Sequence, residues 1–228
     1  MTSGRAVAAL LTEGITLPTP AMNRVHLAII ADAICRAWEL VVANWPETAR
    51  EEAERIVNSA LVTHLLVEVK ERRTPFSTMV STVVRGAEQP SYNGEKLEKR
   101  PDLNFYLTNG NPQLPLVGEC KIIDLSDRKG LDKYKRNGVD RFVDGDYAWA
   151  NSEGFMVAYV RDATQAGTSL AAATGSEPEP WQALARMHHR SRHARTFAYV
   201  DRDPAIEAPG EISLFHVWLD CPRQEVYP

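Results

Sequence analysis

Residues 116–123, Leu-Val-Gly-Glu-Cys-Lys-Ile-Ile, constrain the fold more than any other stretch of the chain. In an extended chain alternate side chains point to opposite faces, so Glu119 and Lys121 share one face while Leu116, Gly118, Cys120 and Ile122 share the other. Apolar residues on both faces mark a strand covered on both sides, at the centre of a sheet. A charged pair in such a strand is costly unless it has a partner or a task. A second strand-like run lies just upstream in Arg-Pro-Asp-Leu-Asn-Phe-Tyr-Leu, residues 100–107. There Leu103, Phe105 and Leu107 alternate with Asp102, Asn104 and Tyr106. The connection contains Asn-Gly-Asn-Pro, a turn composition. Pairing the two runs as a hairpin brings Asp102, Glu119 and Lys121 together at one edge of a sheet.

Two carboxylates and an ammonium have a definite chemical use. Hard oxygen donors suit Mg²⁺ or Mn²⁺. A neighbouring lysine can orient an attacking water or help deprotonate it, and can offset charge on a phosphate. Together they are equipment for metal-assisted phosphodiester hydrolysis. The competing reading is a surface hairpin with an ordinary Glu–Lys pair on its wet face.

Pro101-Asp102 followed by Glu119-Cys120-Lys121 resembles the PD-(D/E)xK motif of the restriction-endonuclease-like nucleases. The resemblance covers only the segment 100–123. It implies an α/β fold with an αβββαβ core, a mixed central sheet flanked by helices. It also implies Asp102 and Glu119 as metal ligands, joined by the backbone carbonyl of Cys120, with Lys121 as the catalytic lysine. The implied activity is Mg²⁺- or Mn²⁺-dependent hydrolysis of DNA. The resemblance leaves open an RNA-directed nuclease, and a non-catalytic nucleic-acid-binding or scaffold subunit of the same fold.

The rest of the chain is read for organisation. Helices are expected at 5–12 and 21–45, separated by Pro18 and Pro20. The second is apolar around most of its circumference, so it is expected to be buried in the protein or to dock a partner. A further helix should start at Pro46 and run to Arg73, with Ala53, Ile56, Val57, Ala60, Leu61 and Leu65 as its apolar stripe. Residues 75–100 read as a strand and a polar loop, 131–150 as helical, 155–160 as a strand, and 162–180 as a loop or weak helix. Residues 181–190 read as a helix, and 196–202 and 211–220 as two closing strands. From residue 46 onward the order helix, strand, strand, strand, helix, strand matches the family core. Residues 1–45 are therefore assigned to a helical extension and 46–228 to the nuclease-like domain.

Further site candidates follow from that frame. Many members of the family carry an extra glutamate on the helix before the first strand. Here Glu54 borders the apolar stripe, Glu68 competes with it, and Glu51 and Glu52 lie nearby. The helix after Lys121 offers Lys135 or Arg141 to a phosphate, because a guanidinium can pair with phosphate through two bonds. Residues 187–197 form the densest basic cluster, with Arg190, Arg192 and Arg195 as phosphate contacts. A solvated helix end is the alternative, and the histidine spacing there makes no recognised zinc pattern. The Cys120 side chain should point into the core as a small buried hydrophobe.

Composition narrows the setting. The chain has 228 residues and a net charge of −4, which argues against broad electrostatic binding of nucleic acid. Its three cysteines are scattered, so a reducing cytoplasm is expected. No apolar run is long enough for a bilayer, and the N-terminus reads as a helix rather than a signal peptide. No DNA-reading module is recognisable. Target selection is thus expected from a homodimer or from a partner such as a helicase or ATPase of a bacterial restriction or phage-defence system.

Overall fold

The computed structural model describes residues 4–51, 53–96, 98–124, 130–162, 164–175, 177–199, 202–203 and 206–221. The helices are α1 (Gly4–Leu11), α2 (Arg24–Asn44), α3 (Pro46–Ala49), α4 (Glu54–Glu71), α5 (Pro75–Met79), α6 (Leu131–Tyr134), α7 (Asp140–Val143) and α8 (Ala166–Thr174). A π-helical turn, Lys135–Val139, joins α6 to α7. The strands are β1 (Val80–Val84), β2 (Leu103–Leu107), β3 (Leu116–Ile123), β4 (Glu153–Val160), β5 (Glu179–Ala183), β6 (Arg186–Ala194) and β7 (Glu211–Asp220). They form one mixed sheet in the order β1-β2-β3-β4-β7-β6-β5. The pairs β3–β4 and β4–β7 are parallel and the others antiparallel.

Period-2 burial builds the layers. On β4, Phe155, Val157 and Tyr159 join the core formed with α2 and α4, while Met156, Ala158 and Val160 join the core beneath α6, α7 and α8. Cys120 and Ile122 of β3 belong to the first core, and Val117 and Ile123 to the second. Helices therefore cover both faces of the sheet, and β3 is central and buried as its composition demands. Each fully buried Leu, Ile or Phe in these layers contributes about 1.5–3 kcal/mol. Gly154 matters to the second layer, because a Cβ there would lie 2.6 Å from the Phe142 ring of α7.

The structure departs from the sequence reading in three places. The helix expected over 46–73 is broken into α3 and α4, with Glu54 opening the second piece. Residues 181–190 form no helix; they belong to the β5–β6 hairpin, turned at Leu184 with φ 53°. Residues 196–199 are not a strand, because Phe197 stacks on Tyr92 and Tyr199 packs edge-on to Trp149 in a small satellite cluster. Of the two expectations for the apolar helix 21–45, burial in the protein is the one α2 shows. Its residues Leu27 to Val41 lie in the same core as α4 and the sheet, and its exposed Val25 and Leu40 stand apart. No helix among the described residues is long and apolar enough to cross a membrane.

Candidate active site

The site forms where β2 parts from β3. The β2–β3 ladder ends at the pair Leu103–Gly118. The chain before it is Pro101-Asp102, and a proline has no N–H to offer a ladder. Past Gly118 the edge of β3 that would face β2 needs other partners. Side-chain carboxylates supply them. Cys120 N donates to Asp102 Oδ2 at 3.0 Å, and Ile122 N donates to Glu54 Oε2 at 3.2 Å. The Cys120 carbonyl, on the same edge, accepts from Lys121 Nζ at 2.6 Å.

Lys121 is the hub. Its Nζ lies 2.8 Å from Glu119 Oε1, 3.1 Å from Glu54 Oε1 and 3.8 Å from Asp102 Oδ2. Arg141 Nη1 of α7 also donates to Glu119 Oε1, at 3.1 Å, and to the Tyr147 hydroxyl at 2.6 Å. The guanidinium rides 5.3 Å above the Tyr147 ring. Asp102 N donates to Glu119 Oε2 at 3.4 Å. The structure thus brings Asp102, Glu119, Lys121, Glu54, Arg141 and the Cys120 carbonyl into one cluster. The Glu54 carboxylate arrives from α4, from the other face, because its helix starts level with the end of β3.

The electrostatics follow from this crowding. The Glu119 side chain is 3% exposed. Burial first, and then the Asp102 charge, push its pKa up to about 8 against the pull of Lys121 and Arg141. Burial also raises Glu54, again opposed by Lys121. Burial alone would lower Lys121, but Glu119, Glu54 and Asp102 outweigh it and hold the ammonium above its ordinary pKa. In this arrangement Lys121 holds its proton and serves as a hydrogen-bond donor, the form that suits the expected orienting of a water.

The cluster opens into a cleft of about 390 Å³, completed by Arg100, Lys133 and Asn137. Its four cationic side chains, Arg100, Lys121, Lys133 and Arg141, outnumber its three carboxylates. The sequence reading had not singled out Arg100 or Asn137. Arg100 was legible as the neighbour of Pro101-Asp102. Asn137 sits midway between Lys133 and Arg141, but its direction depends on the π turn, which spacing does not reveal.

Other candidates lie elsewhere. Lys135 pairs with Asp140 at 2.8 Å rather than lining the cleft. Glu68 pairs with Arg36 at 2.6 Å and accepts from Thr74. Glu51 is exposed in the break before α4, and Glu52 lies outside the described residues. The basic cluster is on β6, three strand positions and roughly 14 Å from β3. There Arg190 and Arg192 pair with Glu179, and Arg195 donates to the carbonyls of Ala148, Trp149 and Asn151. Lys135, Arg190, Arg192 and Arg195 are engaged in these contacts and do not line the cleft around Lys121. Cys120 is fully buried, as its place on the apolar face requires.

Among the described residues no three His, Cys, Asp or Glu side chains form a ready-made metal-binding group. Lys121 stands between the carboxylates instead. The donor chemistry nevertheless fits a hard divalent ion, because Asp102, Glu119 and the Cys120 carbonyl offer only oxygen. The raised pKa of Glu119 marks a carboxylate short of positive charge, which such an ion would relieve.

The chain has no significant match to any family model, curated protein or solved structure.

Proposed function

We propose that this protein is a divalent-metal-dependent nuclease acting on DNA, built on a restriction-endonuclease-like core. The observation that carries the reading is the convergence of Asp102, Glu119 and Glu54 on Lys121 Nζ, beside the Cys120 carbonyl, in an open cleft. The element order α4, β1, β2, β3, α6–α7, β4, with β3 and β4 parallel, supports it. So does the positive rim on a chain of net charge −4, since a phosphodiester needs local positive charge.

Asp102, Glu119 and the Cys120 carbonyl would hold the ion, with Glu54 beside them. A bound divalent ion supplies Lewis-acid polarisation of the phosphoryl oxygen and a water of lowered pKa. The chain's own groups do the remaining work. Lys121 directs its ammonium N–H groups toward the attacking water and the charge developing on phosphorus. Arg141, hydrogen-bonded to the Tyr147 hydroxyl, presents a guanidinium to a non-bridging oxygen. Lys133, Asn137 and Arg100 fix the neighbouring phosphates at the mouth of the cleft.

One observation favours a second reading, a non-catalytic module of the same fold: Lys121 and Arg141 already occupy the space between the acids. A cleavage assay separates the two. Supercoiled plasmid, single-stranded DNA and RNA are incubated with Mg²⁺ or Mn²⁺ and wild type, Lys121→Ala or Asp102→Asn. Metal-dependent cutting lost in both variants establishes the nuclease and its substrate. The absence of both cutting and Mn²⁺ binding by wild type establishes the module.

A further inference from the structure

A second cleft, of about 340 Å³, opens at the turn end of the β2–β3 hairpin, away from Asp102 and Glu119. Its surface is mostly apolar, from Pro20, Met22, Leu107, Leu114 and Leu116, with Thr19, Asn109, Asn111 and Asn151 also lining it. Into this wall is set one acid, Glu153, the first residue of β4, which is 8% exposed. Its Oε2 accepts the Met22 N–H at 3.3 Å. Its Oε1 accepts no hydrogen bond from any described residue. Burial raises the pKa of Glu153, opposed by the Met22 N–H and by the Arg195 charge. Arg195 gives its Nη groups to backbone carbonyls while its buried Nε has no hydrogen-bond partner, and no ion pair joins it to Glu153 among the described residues. A carboxylate this deeply buried, with one hydrogen bond, is expensive to keep charged. Accepting the Met22 N–H before α2 would need only one neutral oxygen, which a glutamine supplies. The second oxygen is left for something else.

We infer that this cleft binds an organic cation, an ammonium or guanidinium group on an apolar stem, with Glu153 Oε1 as its charge partner. The stem lies against Met22, Leu107 and Leu116, where it replaces water on apolar surface. The head donates to Glu153, a charge-assisted bond strengthened by the dry surroundings. The volume suits a short alkyl chain and its head group. The same chemistry has two sources, a free alkylamine or the Lys or Arg side chain of a partner protein. The inference is independent of the nuclease reading, since it uses none of the residues around Lys121.

The test is an amide NMR titration of the full chain with n-pentylamine, with acetyl-Gly-Arg-Gly-amide and with neutral n-pentanol. The cations should give saturable shifts at Met22 and Glu153, and n-pentanol should bind at least about tenfold more weakly. Glu153→Gln keeps an acceptor for Met22 and should lose the same factor for the cations. Tighter binding of the peptide assigns the cleft to a partner's side chain, and tighter binding of the amine assigns it to a free ligand. No saturable shift with either cation, or an equal response to amine and alcohol in wild type, overturns the inference without reference to how the variant folds.

Discussion

Lys121 and Arg141 converge on a single oxygen of Glu119, Oε1, from β3 and from α7, at 2.8 and 3.1 Å. Of the two, Lys121 is nearly buried and also engages Glu54. Arg141 is the more exposed and has the Tyr147 ring to guide it toward the cleft. The pair therefore divides into a buried cation and a more exposed one. In the proposed reaction Arg141→Ala should lower kcat by about a hundredfold while leaving the melting temperature close to wild type, as expected for loss of one donor to a developing charge. Arg141→Lys should restore part of the loss, because it keeps the charge without the planar fork. Single-turnover kinetics with both variants checks this.

Asp102 has two duties, and two substitutions separate them. Asp102→Asn and Asp102→Ala should both abolish metal-dependent cleavage. Only the alanine leaves the Cys120 N–H without its acceptor. Asp102→Ala should therefore be less stable than Asp102→Asn by about 1–3 kcal/mol in urea unfolding. Equal stabilities would mean that water replaces the carboxylate at that amide.

Acid should loosen the fold through its histidines. Burial, with Arg186 and His189 adding to it, depresses His188 to about 4, and burial, with His193 and His189 adding to it, depresses His216 to about 3. Both stay neutral in the folded protein while the unfolded chain takes up protons below about 6.5. Each therefore removes about 1.4 kcal/mol of stability per unit as pH falls from about 6.5 toward its folded pKa. Glu119, raised to about 8, opposes this slope down to the ordinary glutamate range. Urea unfolding at pH 7, 6 and 5 should show His188→Gln with a shallower acid loss than wild type by about that one-histidine amount.

The seat of α7 can be tested at a distance. Gly154→Ala places a methyl group against the Phe142 ring, next to Arg141 in the chain. It should cost about 1–3 kcal/mol by overpacking. It should also shift the Tyr147 ring signals in NMR, because the helix that carries Arg141 must move outward.

Sequence made the centre of this molecule legible because its chemistry is local. The apolar run 116–123, Pro101 and the alternation in 103–107 require only the pleat and one hairpin to bring Asp102 to Glu119. Glu54 was reachable as an acid at the border of an apolar stripe, although the break before it was not. The β5–β6 hairpin was hidden for a physical reason. Its buried positions on β6 include His188, Arg190 and Ser191, the last two held by Glu179 and His216, so no apolar period of two marks the strand. Phe197 and Tyr199 misled in the opposite sense: they are strand-forming residues used to fill a loop cluster. The arginines of residues 190–195 looked like a phosphate surface because composition does not reveal that Glu179 and three carbonyls await them.

The edge of β3 past Gly118 also turns the candidate site into its own reporter. Two amide protons, on Cys120 and Ile122, are sheltered only as long as Asp102 and Glu54 stay in place as substitutes for a strand. An ion that takes the same two oxygens, Asp102 Oδ2 and Glu54 Oε2, uncovers the amides. Deuterium would then enter positions 120 and 122 faster in the loaded protein than in the empty one, the reverse of the slowing that a bound ligand ordinarily brings.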